Sequence, residues 1–225
     1  MRVERFGNAV LYNCDNREIL SELKGIDALV TDPPYGVDLV ERVTKHTHRT
    51  ATKAYKDDGE YIVEEIIPRV AAAIAIVPVA AVTSGIRWLQ RYPIATDIGT
   101  IFYPNGAGRS PFGFNCNNPV LFYGACPYLK HGKGSRPNSA SATHWLSEEG
   151  IDHPCPKPIL MMEWLVERVS DEQGQTILDI FMGSGTTGIA CSNLKRRFIG
   201  IEREEQYFDL ACRRIETAQK QDSLF

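Results

Sequence analysis

The stretch that most constrains the fold is residues 176–202, TILDIFMGSGTTGIACSNLKRRFIGIE. A short apolar run ends in a turn carrying Gly183, Gly185 and Gly188, a helical run Thr186–Leu194 follows, and a second apolar run covers Arg197–Glu202. Strand, tight turn, helix and strand in this order make a βαβ unit, whose crossover sets the two strands parallel. Only 37 residues follow Gly188 (225 − 188), so the rest of any such sheet has to come from upstream.

The upstream pattern supplies it. Ala9–Tyr12, Ile26–Asp32, Val79–Thr83, IGTIFY (98–103) and PVLFYG (119–124) read as strands. Arg17–Leu23, Glu60–Ala73, Ile86–Arg91, Lys157–Asp171 and Glu205–Lys220 read as helices, with Pro68 expected to kink the second and Pro158 acceptable in the first turn of the fourth. Alternating strands and helices predict a doubly wound, mainly parallel sheet, Rossmann-like but permuted in chain order, and one domain over residues 1–225. Residues 37–58 and 105–150 read as loops within it.

Hydrophobic residues make up 43% of the chain, enough for a core of this size. The longest apolar run, Val70–Val82, is broken by Pro78 and predicts no membrane span. The first ten residues lack the apolar stretch of a secretion signal, so the expected location is cytoplasmic. Six cysteines form no C-x-x-C pair and read as free thiols. Cys116, Cys126, His131 and His144 match no zinc-knuckle spacing, so no metal is expected.

Net charge is −3, yet its distribution is uneven: Ile98–Ser147 holds no Asp or Glu. Arg42–Lys56 has five basic residues, two histidines and no acid. Such segments suit contact with a polyanion.

Gly183-x-Gly185-x-x-Gly188, with Glu202 at the end of the next strand, suits an adenosine-bearing cofactor. Glycines let the backbone approach the ligand, a helix N-terminus faces it, and the acid can hydrogen-bond ribose hydroxyls. A dehydrogenase usually opens with this unit; here it closes the chain. A second element decides between readings: Asp32-Pro33-Pro34-Tyr35 follows a buried strand directly. Both prolines fix φ and lack N–H donors, so a carboxylate, a carbonyl and an aromatic ring are held together at a strand's C-terminal edge. That set can grip an exocyclic amino group on a flat ring.

DPPY, with D-x-F-x-G-x-G-T (Asp179–Thr186) late in the chain, resembles the DNA adenine-N6 and cytosine-N4 methyltransferase family, in its β-class motif order. HPCPKP (His153–Pro158) resembles the family's HPTQKP, with Pro156 in place of Gln. NCNNPVLFYG lacks the His-Glu pair common before that strand. The resemblance implies S-adenosylmethionine as cofactor, contacted by Asp15, His153, Lys157, Asp179, Phe181, Gly183, Ser184, Gly185, Thr186 and Glu202. It implies Glu202 on the ribose, Asp15 at the adenine and Lys157 near the carboxylate. Asp32, Pro33, Pro34 and Tyr35 would be catalytic, acting on a base flipped out of double-stranded DNA; Asp in first place favours N6-adenine over N4-cytosine. A homodimer is among the partners implied. The basic loops supply the expected DNA contacts: Lys45, Arg49 and Lys53 in the first, Lys130, Lys133, Arg136 and Asn138 in the second. RNA methylation and a non-catalytic nucleic-acid-binding subunit are the competing readings.

Overall fold

The computed structural model describes residues 1–36, 59–104, 106, 108–142, 151, 153 and 156–222. Its strands are β1 (Arg2–Phe6), β2 (Ala9–Asn13), β3 (Ala28–Thr31), β4 (Val79–Thr83), β5 (Asp97–Phe102), β6 (Gly108–Ser110), β7 (Gly113–Asn115), β8 (Asn117–Gly124), β9 (Ser139–Ser141), β10 (Thr176–Asp179) and β11 (Arg197–Glu202). Among the described residues, β6 and β7 form a separate hairpin. The other nine strands form one sheet in the order β1-β2-β11-β10-β3-β4-β8-β5-β9.

The central strands β2, β11, β10, β3 and β4 run parallel. β8 is antiparallel to β4 and to β5, and β1 is antiparallel to β2. The parallel strands are buried on both faces, which explains their unbroken apolar sequences. Residues alternate between two cores: Ala28, Val30 and Ile177 face one, Leu29 and Leu178 the other. Helices α3 (Ile159–Val169), α4 (Thr186–Asn193) and α5 (Glu205–Asp222) cover the first face through Met161, Leu165, Ile189 and Phe208. Helix α1 (Ile67–Ala75) covers the second with Ile67, Val70 and Ala73. The remaining helix, α2 (Pro127–Lys130), is a single turn after β8.

From β3 the chain steps outward to β4, and from β10 it steps the other way to β11. The crevice between the C-terminal ends of β3 and β10 is therefore the switch point of the sheet, where open α/β folds bind ligands. DPPY leaves β3 there, and the glycine loop leaves β10.

Several local expectations change. The helix expected over Arg17–Leu23 is one 3-10 turn, Asn16–Glu18, capped by Asp15. That over Ile86–Arg91 shrinks to Leu89–Arg91. Pro68 is absorbed without ending its helix: α1 is preceded by Gly59–Tyr61 and a π-helical stretch, Ile62–Ile66, whose wider turn takes up the lost N–H. Pro158 caps α3 from just outside its first turn. The antiparallel edge strand β1 carried no clear signal because its residues are mostly exposed. Among the described residues, no helix is long and apolar enough to cross a membrane.

Candidate active site

The DPPY corner is held from three strands. The Thr31 hydroxyl, last in β3, donates to Asp179 Oδ1 at 2.8 Å and ties β3 to β10. The Asp32 carboxylate accepts hydrogen bonds from the Tyr35 and Thr83 hydroxyls on Oδ1. On Oδ2 it meets the Lys157 ammonium at 3.1 Å. Lys157 Nζ also lies 4.8 Å from the centre of the Tyr35 ring. Asn118, near the start of β8, donates from Nδ2 to the Tyr35 hydroxyl at 3.3 Å. Burial, then the neighbouring Asp32 charge, push the Tyr35 phenol well above its ordinary pKa, so it stays protonated and donates to Asp32. Thr83 and Asn118 were not legible in the sequence as site residues; nothing in their local pattern marks them, and the β3–β4 and β4–β8 pairings bring them here.

Next to this corner an open cleft runs along the crevice. Its floor is the loop 180–184. Gly183 (φ +51) and Gly185 (φ +81) occupy the left-handed region that favours glycine. Gly188 serves differently: a Cβ there would lie 2.4 Å from Ile215 and 2.9 Å from Phe198, so its absence lets α4 approach α5 and the sheet. Gly185 backs onto Ala211 and Ile215 rather than the cleft.

Two buried acids shape the loop. Asp179, 2% exposed, accepts from the Thr31 and Thr187 hydroxyls and from Phe181 N–H. Burial outweighs these bonds and pushes its carboxyl up to about 6. Glu202, at the end of β11, accepts from Gly183 N–H at 3.0 Å and Glu204 N–H at 2.8 Å. Burial nevertheless pushes it up to about 7. Each Glu202 oxygen keeps a lone pair for a further donor from the cleft. Ser184 and Thr186 are buried where the loop enters α4, and the Arg214 guanidinium binds both, at the Ser184 carbonyl and the Thr186 hydroxyl. His153 abuts Gly183 and packs edge-on against Tyr207, their ring centres 4.7 Å apart.

At the far end of the cleft, Asp15 caps its 3-10 turn and bonds Arg17 at 2.9 Å and Arg69 at 3.2 Å. Burial raises the Asp15 carboxyl, but the Arg17 hydrogen bonds and the Arg69 charge outweigh it and hold it below its ordinary value. Arg69 is 7% exposed and lies between Asp15 and Glu65. Sequence reasoning missed it because it sits inside an apolar helical run.

The cleft thus gathers Asp15, Asp32–Tyr35, His153, Lys157, Asp179, Phe181, Gly183, Ser184, Thr186 and Glu202. Lys45, Arg49 and Lys53 lie outside the described residues. The structure does not bring the second basic group to this edge. Because β8 is antiparallel to β4, its C-terminal end, the α2 turn and the following segment lie at the opposite edge of the sheet. There Lys133 pairs with Asp171 at 2.8 Å, and the Arg136 guanidinium stacks on Tyr128, 3.6 Å from the ring centre, with Glu167 at 3.7 Å. Asn138 donates to the Asp97 carboxylate, and Lys130 is exposed on α2. Lys130, Lys133 and Arg136 thus stand at the edge opposite the DPPY corner, while Asn138 leads into β9 beside Thr100 on β5.

The same reversal separates Cys116 from Cys126 by the length of β8; His144 lies outside the described residues. His131, Asp171 and Glu172 do cluster, but the Lys133 ammonium already occupies that cluster as its cation.

Residues 95–213 match the DNA methylase family. Among curated proteins, the type II methyltransferase M2.DpnII of Streptococcus pneumoniae is 48% identical over 67 residues, 28% of this chain and 24% of that protein. M.BglI of Bacillus subtilis is 42% identical over 66 residues, 29% of this chain and 19% of that protein. The matches thus span about a quarter or less of these relatives. Among solved structures, the M1.HpyAVI–SAM complex aligns with TM-score 0.63 and 24% identity, covering 91% of this chain and 98% of that one. The cytosine-N4-specific PvuII DNA methyltransferase aligns with TM-score 0.65 and 17% identity, covering 96% and 93%. At these identities the two structures show a shared fold, that of the class I methyltransferases. With the family match spanning more than half of its residues, this chain belongs to the DNA methylase family.

Proposed function

We propose that this chain transfers a methyl group from S-adenosylmethionine to the N6 amino group of adenine in duplex DNA, with the target base flipped out of the helix. One observation carries the reading. An ammonium group, that of Lys157, sits against Asp32 and over the Tyr35 ring. A flat base whose amino group bonds Asp32 while its ring stacks on Tyr35 needs the same two partners.

The cleft fits the cofactor on several counts. A left-handed glycine floor admits a ligand close to the backbone, and Glu202 retains lone pairs for ribose hydroxyls. Asp15 stands at the far end to accept from an adenine amino group. When bound, S-adenosylmethionine supplies an electrophilic methyl group on a sulfonium.

The chain's own residues then do the following. Lys157 leaves Asp32 for the cofactor's carboxylate. Asp32 and the Pro33 carbonyl accept the two amino hydrogens, which favours a pyramidal nitrogen with a freed lone pair. Thr83 and Tyr35 fix the Asp32 carboxylate, so little reorganisation accompanies attack. With S-adenosylmethionine bound, its methyl group would pass to that nitrogen, the carbon–sulfur bond breaking with its electron pair going to sulfur, and Asp32 would take the surplus proton. The target atom is out of reach in a stacked duplex, hence the flipped base.

Asp at position 32 favours adenine; N4-cytosine is the second reading, and the fold shared with a cytosine-N4 enzyme leaves room for it. The test is nucleoside mass spectrometry after incubating the protein with S-adenosylmethionine and unmethylated duplex DNA. N6-methyladenine is expected. N4-methylcytosine would reverse the base assignment, and methylated RNA without methylated DNA would overturn the substrate.

A further inference from the structure

The β6–β7 hairpin stands at the catalytic edge. It interrupts the connection between Phe102 and Asn117, which pair at the end of the β5–β8 ladder nearest Thr83. Its end, Asn115, lies three positions before Asn118, whose amide bonds the catalytic Tyr35. At most about 10 Å of extended chain fits between them, comparable to the width of a DNA major groove. The hairpin turns through two residues, Pro111 and Phe112, between the paired Ser110 and Gly113. Pro111 fixes φ at the tip, so the tip is presented with little conformational freedom to lose.

The side chain at this tip is apolar. Phe112 is fully exposed (103%) and Phe114 is 72% exposed, with Phe102 half-exposed at the base of the arm. Isolated exposed apolar residues are ordinary, but here two largely exposed phenylalanines share one eight-residue hairpin. The hairpin also lies inside the acid-free stretch Ile98–Ser147, with Arg109 on β6. An apolar tip on an arm without negative charge, beside a site built for a base, matches a polyanion whose interior is a stack of flat rings.

We propose that this hairpin enters the DNA beside the flipped nucleotide, with Phe112 stacking into the gap that the target base leaves. The proposal rests on the reading that the chain acts on duplex DNA. Apolar wedges that unstack a base step are a general means of distorting a duplex, and aromatic stacking on bases tolerates any sequence. Phe112 is thereby a positioning residue: it holds the opened duplex and touches neither cofactor nor reacting atoms.

The test compares wild type, Phe112→Ala and Phe112→Trp on two duplexes carrying the site found by sequencing methylated DNA. One is intact; in the other an abasic site faces the target adenine, so that the base leaves the stack easily. On intact duplex, Phe112→Ala is expected to lose about tenfold or more in kcat/KM, shrinking to less than about threefold on the abasic duplex. Phe112→Trp should restore most activity, and cofactor affinity should not change. Unchanged activity of Phe112→Ala on intact duplex would overturn the proposal, as would equal losses on both duplexes. Loss accompanied by a change in oligomeric state would instead make the hairpin a contact between copies of this chain. A wild-type protein that methylates no DNA would sink the underlying function instead.

Discussion

The two edges of the sheet carry similar sequence signals and hold opposite arrangements of charge. Around the glycine loop of the catalytic edge, two acids are buried and raised, Asp179 up to about 6 and Glu202 up to about 7, while Asp15 at the far end of the cleft is, despite its burial, lowered by Arg17 and Arg69. At the opposite edge the acid is lowered, because Lys133 and His131 outweigh the burial of Asp171. Cations there end on acids of distant segments, Asp171 and Glu167, from beyond the acid-free stretch. An edge that exists to hold the fold neutralises its charges internally. An edge that receives a ligand leaves acceptor capacity open and tolerates the cost. If this contrast is right, substitutions at the two edges should separate chemistry from stability.

The sharpest break comes from Asp32→Ala. It removes the acceptor of an amino hydrogen and the anchor of the Tyr35 and Thr83 hydroxyls, and should lower kcat by about 10³-fold or more. Cofactor affinity should stay within about threefold or tighten, since Lys157 is released for the cofactor's carboxylate. Calorimetry beside single-turnover methylation measures both. Near-normal turnover would refute the proposed mechanism.

Glu202→Gln should act next, on binding and through pH. A carboxyl ordinarily near 4.5 and raised to about 7 by burial favours the protonated folded state. The folded state then binds more protons than the unfolded one, so stability of the free protein falls as pH rises from about 4.5 to 7. Full expression of that shift corresponds to about 3 kcal/mol. Asp179 contributes in the same direction, but only up to about 6. The decline between pH 6 and 7 belongs to Glu202 and should vanish in Glu202→Gln. Ribose hydroxyls donate best to the charged form, so cofactor affinity of the wild type should rise over this interval and then level off. In the variant it should be about 10–100-fold weaker and flat with pH. Thermal unfolding and calorimetry at pH 6.0, 7.0 and 8.0 check both signs.

How much of this was legible in the sequence follows from the range of each interaction. The parallel strands read clearly because burial on both faces leaves an unbroken apolar run, as in Ile26–Asp32. The glycine loop and DPPY read clearly because their chemistry is local: φ values, missing donors and a carboxylate within a few residues. Thr83 and Asn118 did not, since their place beside Tyr35 depends on the β3–β4–β8 pairing across more than eighty positions. Lys157 read as a cofactor contact, yet in the free protein it rests on Asp32, for the alternative partner is 125 residues away in sequence. The acid-free stretch was correctly seen as unusual, but one strand reversal divides it between the two edges.

That division yields the smallest expected effect. Lys133→Ala with Arg136→Ala removes the basic pair that the sequence assigned to DNA reading and that the structure places on the far edge. Lys133 is 40% exposed and its pairing with Asp171 is screened by solvent, so the pair contributes little to stability. Asp171 itself is buried beneath it, and His131, 2.7 Å away, remains to share its charge. The double variant should therefore unfold slightly earlier, bind DNA with the same affinity and keep the slope of log K against log salt. The slope is the more discriminating reading, because each lost phosphate contact would flatten it by nearly one. A flattened slope would mean that the duplex wraps to the far edge and that the contrast between the two edges is not one of function against stability.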